Sequence, residues 1–184
     1  ILVSPITFAA GANAVELNNA TVGFVDIDPQ TYCLDPNKLE DKVKKILKNN
    51  KLVKSVIATD FAGHPCDWKA LKFLADKYNF TLINDNCHAL GAKYNGKIDY
   101  AVNYADISCL SFHPVKHITT GEGGGLLTNS SKLFNQLLKL REHGIVRPKK
   151  NTWWDCDIIQ PSLNFRMSDI QAALGISQLK KINA

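Results

Sequence analysis

The sequence predicts an α/β fold: a mainly parallel sheet covered by helices on both faces, three layers in the order α/β/α. Three observations predict it. Short apolar runs rich in β-branched residues alternate with longer segments whose apolar residues recur at helical spacing. The helical segments reach ten residues or more, enough to cross over between parallel strands. Turn and capping residues stand at the joints. The chain has 184 residues, 45% hydrophobic and 21% charged. That is enough for one substantial core, so residues 1–184 are read as one domain.

Ile1 to Val3 reads as a short buried strand, and Phe8 to Leu17, small and apolar, as a buried helix. Val22 to Val25 is the next strand, broken by Asp26-Ile27-Asp28-Pro29. Asp35-Pro36 opens a helix with Leu39, Val43, Ile46 and Leu47 on one face, and Asn49-Asn50 ends it. Ser55 to Ala58 is again a strand, Gly63 and Pro65 turn the chain, and Asp67 caps a helix that aligns Leu71, Leu74, Ala75 and Tyr78. Thr81 to Ile83 is a strand ending at Asn84-Asp85. Ile107 to Phe112 and Gly125 to Thr128 are two more. Ser130 to Glu142 is a helix with Leu133, Leu137 and Leu140 in line, stopped by Gly144. Arg147 to Leu163, with Pro148, Trp153, Trp154 and Pro161, lacks periodicity and reads as a long loop, a kind that often carries function. Ser168-Asp169-Ile170-Gln171 is a capping box that starts the last helix.

Composition narrows the function classes. Five cysteines, Cys33, Cys66, Cys87, Cys109 and Cys156, are spread evenly. An odd count without clustering points to reduced thiols in a cytoplasmic protein. The net charge of +5 comes in part from Lys38 to Lys51 and from Lys180-Lys181, read as solvated helix faces. Basic residues interleaved with aromatics are missing, so no nucleic-acid partner is expected. Ile1 to Val15 has no basic flank and is interrupted by Pro5 and Gly11, unlike a signal peptide. No segment approaches the roughly 20 apolar residues of a membrane span, so no membrane partner is expected. The chain starts Ile1-Leu2-Val3, and its one methionine is Met167. It reads as a piece of a longer protein, or a processed one.

In open α/β sheets ligands bind beyond the carboxyl ends of the strands. That directs attention to Asp85 and to the loop from Ser111 to Thr120. The segment Ser111-Phe-His-Pro-Val-Lys116-His-Ile-Thr-Thr-Gly-Glu-Gly-Gly-Gly125 sets a lysine among apolar residues, two histidines and glycines that let backbone approach a ligand. A lysine in partly apolar surroundings favours the neutral amine, which can form a Schiff base. From the residues alone an ordinary solvated lysine serves as well. The pairs His64 and Cys66, Cys87 and His88, and His113 and His117 lack the two-plus-two spacing of a metal site.

This segment closely resembles the cofactor-binding lysine segment of the DegT/DnrJ/EryC1/StrS sugar aminotransferases, which are fold type I enzymes dependent on pyridoxal 5'-phosphate. The resemblance runs along the whole chain. Ser4-Pro5-Ile6-Thr7-Phe8 is similar to the family's Pro-x-x-Thr-aromatic segment, and Phe24-Val25-Asp26 to its Phe-x-Asp strand end. Asn84-Asp85-Asn86-Cys87-His88-Ala89-Leu90-Gly91 resembles its Asp-x-x-Gln/His-x-x-Gly motif. Leu163-Asn164-Phe165-Arg166 through Gln171-Ala172 resembles its Asn-x-Arg-x-x-x-x-Gln-Ala segment.

The resemblance implies roles. Lys116 would hold the cofactor as a Schiff base and shuttle the proton. Asp85 would sit against the pyridine nitrogen. His88 would bond the ring hydroxyl, otherwise being a packed core residue. Phe8 would stack on the ring, otherwise being simply core. Ser111 would donate to the cofactor phosphate, and Asn164 would reach the phosphate of a neighbouring subunit's cofactor. Each of these last two is otherwise a turn residue. Asn84 and Asn86 replace the family's usual Glu and Ala and are read as tuning the site. Leu163 stands where an aromatic is common. The family's phosphate-binding Gly-Ser/Thr segment would precede Ile1, and its smaller substrate domain would follow Ala184, so the large domain is expected to be incomplete at both ends. The implied reaction transfers an amino group from L-glutamate to a nucleotide-linked keto sugar in a homodimer. His113 to Gly124, Glu142 to Arg147 and Trp153-Trp154 look most like the members that aminate UDP-linked 4-keto sugars towards pseudaminic acid. Lys116 argues against the dehydratase members, which carry histidine there. The alternative is a truncated, inactive fragment serving as a structural or dimerisation unit.

Overall fold

A computed structural model describes residues 1–147 and 154–182. Pro148 and Trp153 of the expected loop lie outside the described residues. The main sheet holds β1 (Leu2–Val3), β2 (Gly23–Phe24), β3 (Ser55–Thr59), β4 (Thr81–Asp85), β5 (Ile107–Ser111) and β6 (Gly124–Leu127), in the order β2-β1-β3-β4-β5-β6. The first five are parallel, and β6 runs antiparallel to β5. From β1 the chain moves outward to β2, then returns across β1 to β3. This reversal leaves a crevice at the carboxyl ends of β1 and β3, the place where such sheets bind ligands.

The helices are α1 (Ala10–Leu17), α2 (Pro36–Lys48), α3 (Trp68–Tyr78), α4 (Tyr100–Asn103), α5 (Ser131–Arg141) and α6 (Asp169–Leu179). Their starts follow from side-chain caps. Asp35 accepts from the Asn37 amide, with Pro36 in the first turn of α2. Asp67 accepts from the Ala70 amide, and Asn79, left-handed at φ 53°, closes α3. Ser130 caps α5, and Ser168 with Gln171 forms the expected capping box of α6.

Strand alternation sends Val56, Ala58 and Leu82 to one face of the sheet. Leu39 and Val43 of α2 and Trp68, Leu71, Leu74 and Ala75 of α3 cover them, each no more than 5% exposed. Tyr100 and Ala101 of α4 join the same core. Burying each large side chain contributes about 1.5–3 kcal/mol. On the other face the register aligns Val3, Ile57, Ile83 and Ile107 in one row. Val3 is buried and the three isoleucines are half-buried. Right-handed crossover sets α1 on this second face, so the two faces are covered unequally.

Some expectations need correction. The segment expected as a buried helix from Phe8 buries Val15 alone, and Leu17 is 83% exposed. Its residues are mostly small, so they fix a helix without demanding a core. In α5, Leu133 and Leu137 are half-buried and Leu140 is exposed. The long segment from Arg147 contains a strand: β8 (Asp157–Ile158) pairs antiparallel with β7 (Ile145–Val146). All five cysteines carry free thiols. Among the described residues, no helix is long and apolar enough to cross a membrane.

Candidate active site

Asp85 is the last residue of β4, and the register sets it between Thr59 of β3 and Cys109 of β5. Its Oδ2 accepts from the Thr59 hydroxyl at 3.3 Å and its Oδ1 from the Cys87 amide at 3.2 Å. The Asp60 amide donates to its carbonyl at 3.1 Å. Burial, and then the neighbouring Asp85, hold the Cys87 thiol far above the ordinary thiol range. Burial and the same carboxylate push Cys109 up to about 11. Both thiols are therefore inert neutral groups beside the acid.

The Lys116 loop is clasped at its neck. Phe112 donates its amide to the Gly123 carbonyl at 2.9 Å, and its own carbonyl accepts from the Thr120 amide at 3.0 Å and the Thr119 hydroxyl at 3.0 Å. The Lys116 amide closes a turn onto His113 at 3.0 Å, and Ile118, 5% exposed, hooks the loop into the protein. Lys116 itself is half-buried. Its Nζ has no hydrogen-bond or ion-pair partner among the described residues, which leaves the amine available. The glycine run serves the chain's own packing. A Cβ on Gly124 would stand 2.7 Å from the Leu110 carbonyl, and one on Gly123, at φ 157°, would collide with the Thr120 hydroxyl. Gly124 thus lets β6 approach β5, and Gly123 leaves room for the Thr120 hydroxyl.

His88 follows the Asp85 strand end, half-buried, its ring edge-on to Phe61 at 6.3 Å. Burial, and then the charge of Lys116, hold its pKa below the ordinary value. His88, Asp85 and Lys116 thus form one electrostatic cluster at the ends of β4 and β5. Ser111 ends β5 one strand away and accepts from the His113 amide at 3.4 Å, which leaves its hydroxyl proton free to donate. Phe8 is 76% exposed, so it is no core residue. The turn that carries it is tied to the cluster by the 3.0 Å contact between the hydroxyls of Thr7 and Thr59. Asn164 is not brought to the cluster. It pairs across to Glu142, its Oδ1 accepts from the Arg166 amide at 3.0 Å, and it is exposed.

Asn84 and Asn86 do not line the site. Strand alternation turns Asn84 into the core, fully buried beside Ser108, and Asn86 reaches Asp60 and Tyr100. Sequence reasoning singled out neither Thr7 nor Thr59 as a site residue. The signal was the alternation in Ser55–Thr59, which puts Thr59 on the face opposite Val56 and Ala58. A cleft of about 450 Å³ lies elsewhere, at the starts of α2 and α3, lined by Asp28, Asp35, His64 and Asp67 among others. None of the six expected site residues borders it.

The family profile described as the DegT/DnrJ/EryC1/StrS aminotransferase family matches residues 1–184. The chain is 43% identical over 183 residues to the UDP-4-amino-4,6-dideoxy-N-acetyl-beta-L-altrosamine transaminase of Campylobacter jejuni, covering 100% of this chain and 46% of that protein. It is 35% identical to the GDP-perosamine synthase of Escherichia coli O157:H7, over 98% of this chain and 46% of that protein. Among solved structures, Helicobacter pylori PseC, an aminotransferase involved in the biosynthesis of pseudoaminic acid, superposes with a TM-score of 0.88 at 32% identity, over 98% of this chain and 46% of that one. The chain spans about half the length of the curated relatives it matches.

Proposed function

This chain belongs to the DegT/DnrJ/EryC1/StrS aminotransferase family, and from that premise we propose that the full-length protein is a pyridoxal 5'-phosphate-dependent aminotransferase acting on a UDP-linked 4-keto-6-deoxy sugar. The observation that carries the reading is the cluster of an unpartnered Lys116 amine, the Asp85 carboxylate and His88 at the carboxyl ends of β4 and β5. The residues fit the cofactor's groups. A partnerless amine suits an aldehyde, a carboxylate with open lone pairs suits a protonated pyridine nitrogen, and an exposed Phe8 suits a flat ring.

Bound pyridoxal phosphate supplies an electron sink that lets an amino group leave one carbon and be taken up at another. The chain's own residues do the rest. Lys116 would hold the cofactor through Nζ and, once free, would carry the proton to and from the reacting carbon. Asp85 would hold a proton on the pyridine nitrogen by charge. His88 would bond the ring hydroxyl. Phe8 would cover the ring, and Ser111 would donate to the phosphate.

The UDP sugar, rather than a GDP sugar, is favoured by the higher identity to the Campylobacter transaminase. L-glutamate as donor, a cytoplasmic setting and a homodimer complete the reading. Borohydride treatment of the full-length protein with pyridoxal phosphate should fix the cofactor on the Lys116 peptide. Labelling of another lysine overturns the assignment.

A further inference from the structure

Two threonines connect the Phe8 turn to the acid. The Thr59 hydroxyl is 3.3 Å from Asp85 Oδ2 and 3.0 Å from the Thr7 hydroxyl, and Thr59 is 4% exposed. A hydroxyl has one proton to give. An ionised carboxylate only accepts, so the Thr59 proton goes to Asp85. Thr7 must then donate to the Thr59 oxygen. The direction of the relay is fixed, from Thr7 to Thr59 to Asp85.

This relay holds the carboxylate from the neighbouring strand, and the Cys87 thiol meets it from the loop that follows. The strand end is pinned through backbone by the Asp60 amide on the Asp85 carbonyl, and the Cys87 amide meets Oδ1 at 3.2 Å. The Cys87 amide holds Oδ1 and the Thr59 hydroxyl holds Oδ2, so the two together fix the rotation of the carboxylate. Ser4 stabilises the other end. Nearly buried, it accepts from the Ile6 amide at 3.3 Å and shapes the turn that presents Thr7 and Phe8. Losing the Thr59 hydroxyl would leave Oδ2 without its partner and uncouple the acid from the turn carrying the aromatic.

Resting on the cofactor reading above, we propose that Thr59 is a positioning residue. Oriented by Thr7, it aims Asp85 at the pyridine nitrogen and locks the acid and the Phe8 turn into one unit. The relay orders both, and neither threonine touches the reacting atoms.

The test uses the full-length protein carrying Thr59→Val, Thr59→Ser, Thr7→Val and the Thr7→Val/Thr59→Val double variant. Pyridoxal phosphate affinity is measured by titration, the induced circular dichroism of its visible band is recorded, and melting is followed in the cofactor-free protein. Thr59→Val should weaken binding about tenfold, the scale of one hydrogen bond to a charged group, and diminish the visible dichroism. Thr59→Ser should restore both. Thr7→Val should act in the same direction but less, and the double variant should be no worse than Thr59→Val alone, since a relay cut twice is cut once. Wild-type affinity and dichroism in Thr59→Val overturn the inference, and so does a change in melting alone. Additive effects of the two valines overturn the relay. Borohydride labelling of the wild type separates this from the broader reading. Without label on Lys116, the cofactor assignment fails and takes the relay with it. With label there and an unchanged Thr59→Val, the relay alone fails.

Discussion

Asp60 and Asn86 meet through a 2.9 Å hydrogen bond from Asn86 Nδ2 to Asp60 Oδ2, and this contact joins the core to the site. Asp60 is fully buried. Its carboxylate also accepts from the Cys66 amide at 2.8 Å, Trp68 Nε1 at 2.9 Å and the Tyr100 hydroxyl at 2.8 Å. Burial pushes this carboxyl above its ordinary value, and the four donors oppose that push. All four partners give protons, which is an arrangement for an ionised acid. Asn86 follows Asp85 directly, so the network also fixes the loop leading to His88.

Asp60→Ala is expected to leave the Cys66 amide, Trp68 Nε1 and the Tyr100 hydroxyl without an acceptor, while Asn86 Nδ2 keeps the Tyr100 oxygen. Each stranded buried donor costs about 1–3 kcal/mol, so the variant should lose several kcal/mol, on the scale of a broken buried network. Urea denaturation measures it. A loss below about 1 kcal/mol would mean that water or a rearranged Asn86 replaces the carboxylate.

The helices of the core were legible because their pattern and their caps agree. In α3, Asp67 at the start and Leu71, Leu74 and Ala75 on one face are the same residues that cap and pack it. The site was legible only in part. Lys116 and Asp85 stood out by motif and strand position, whereas alternation marks only the face of Thr59, and its place beside Asp85 depends on the register between strands. The contact of Asn86 with Asp60 was hidden for the same reason, the two being 26 residues apart. The apolar faces of α5 and α6 match the periodicity yet stay open, because periodicity marks a face to be covered without saying what covers it.

Glu40 should set part of the acid stability. It binds Lys77 at 2.7 Å, the Tyr78 hydroxyl at 2.8 Å and Lys44 at 3.1 Å, bridging α2 to α3. With Lys77 as the leading cause, its carboxyl falls from 4.5 to about 2. A depressed carboxyl contributes stability that is complete above its unfolded value and lost as pH falls through the folded one. Glu40→Gln should therefore flatten the loss of stability between about pH 4.5 and 2. An unchanged acid limb in denaturant titrations would show that the bridge does not hold in solution.

Gly124→Ala should distort the neck of the Lys116 loop. The new methyl would stand 2.7 Å from the Leu110 carbonyl, a backbone atom that cannot swing aside. Overpacking of this kind costs about 1–3 kcal/mol. Gly125→Ala meets side-chain carbons of Phe112 and Leu110 at 3.6 Å and beyond, ordinary contact distances, and serves as the control. Thermal melts should separate the two. Equal melting would show that β6 shifts freely.

Asp85→Asn in the full-length protein should keep the fold and lower turnover by two orders of magnitude or more, the contribution of one positioned proton-holding group being about 10²–10⁴. The amide oxygen can still receive the Thr59 proton, while its nitrogen then faces the Cys87 amide in place of Oδ1, so the variant removes the charge and one acceptor. Near-wild-type turnover with a UDP-linked keto sugar would remove Asp85 from the site.

Asn164 is expected to act on a second subunit. Within its own chain it is exposed and its contacts are to Glu142 and Arg166, away from the Lys116 cluster. It also leads into a face that lacks cover, since Phe165 is 65% exposed, Ile170 85% and Ile176 60%. Exposed large apolar side chains at an interaction site are buried by a partner, and a closed twofold dimer is the commonest assembly that would bury them. A chain carrying Lys116→Ala and a chain carrying Asn164→Ala should each be impaired in the full-length protein. Mixed and allowed to exchange, they should form heterodimers with one whole site, built from Lys116 of one chain and Asn164 of the other, while the second site carries both lesions. Recovered turnover should approach half the wild-type rate per heterodimer, about a quarter of the wild-type rate if subunits pair at random, because random pairing makes half of all dimers mixed. Size-exclusion chromatography with differently tagged chains establishes that exchange occurs. If the tags mix, both single variants are impaired and no activity returns, Asn164 serves its own chain and the assembly does not complete the site.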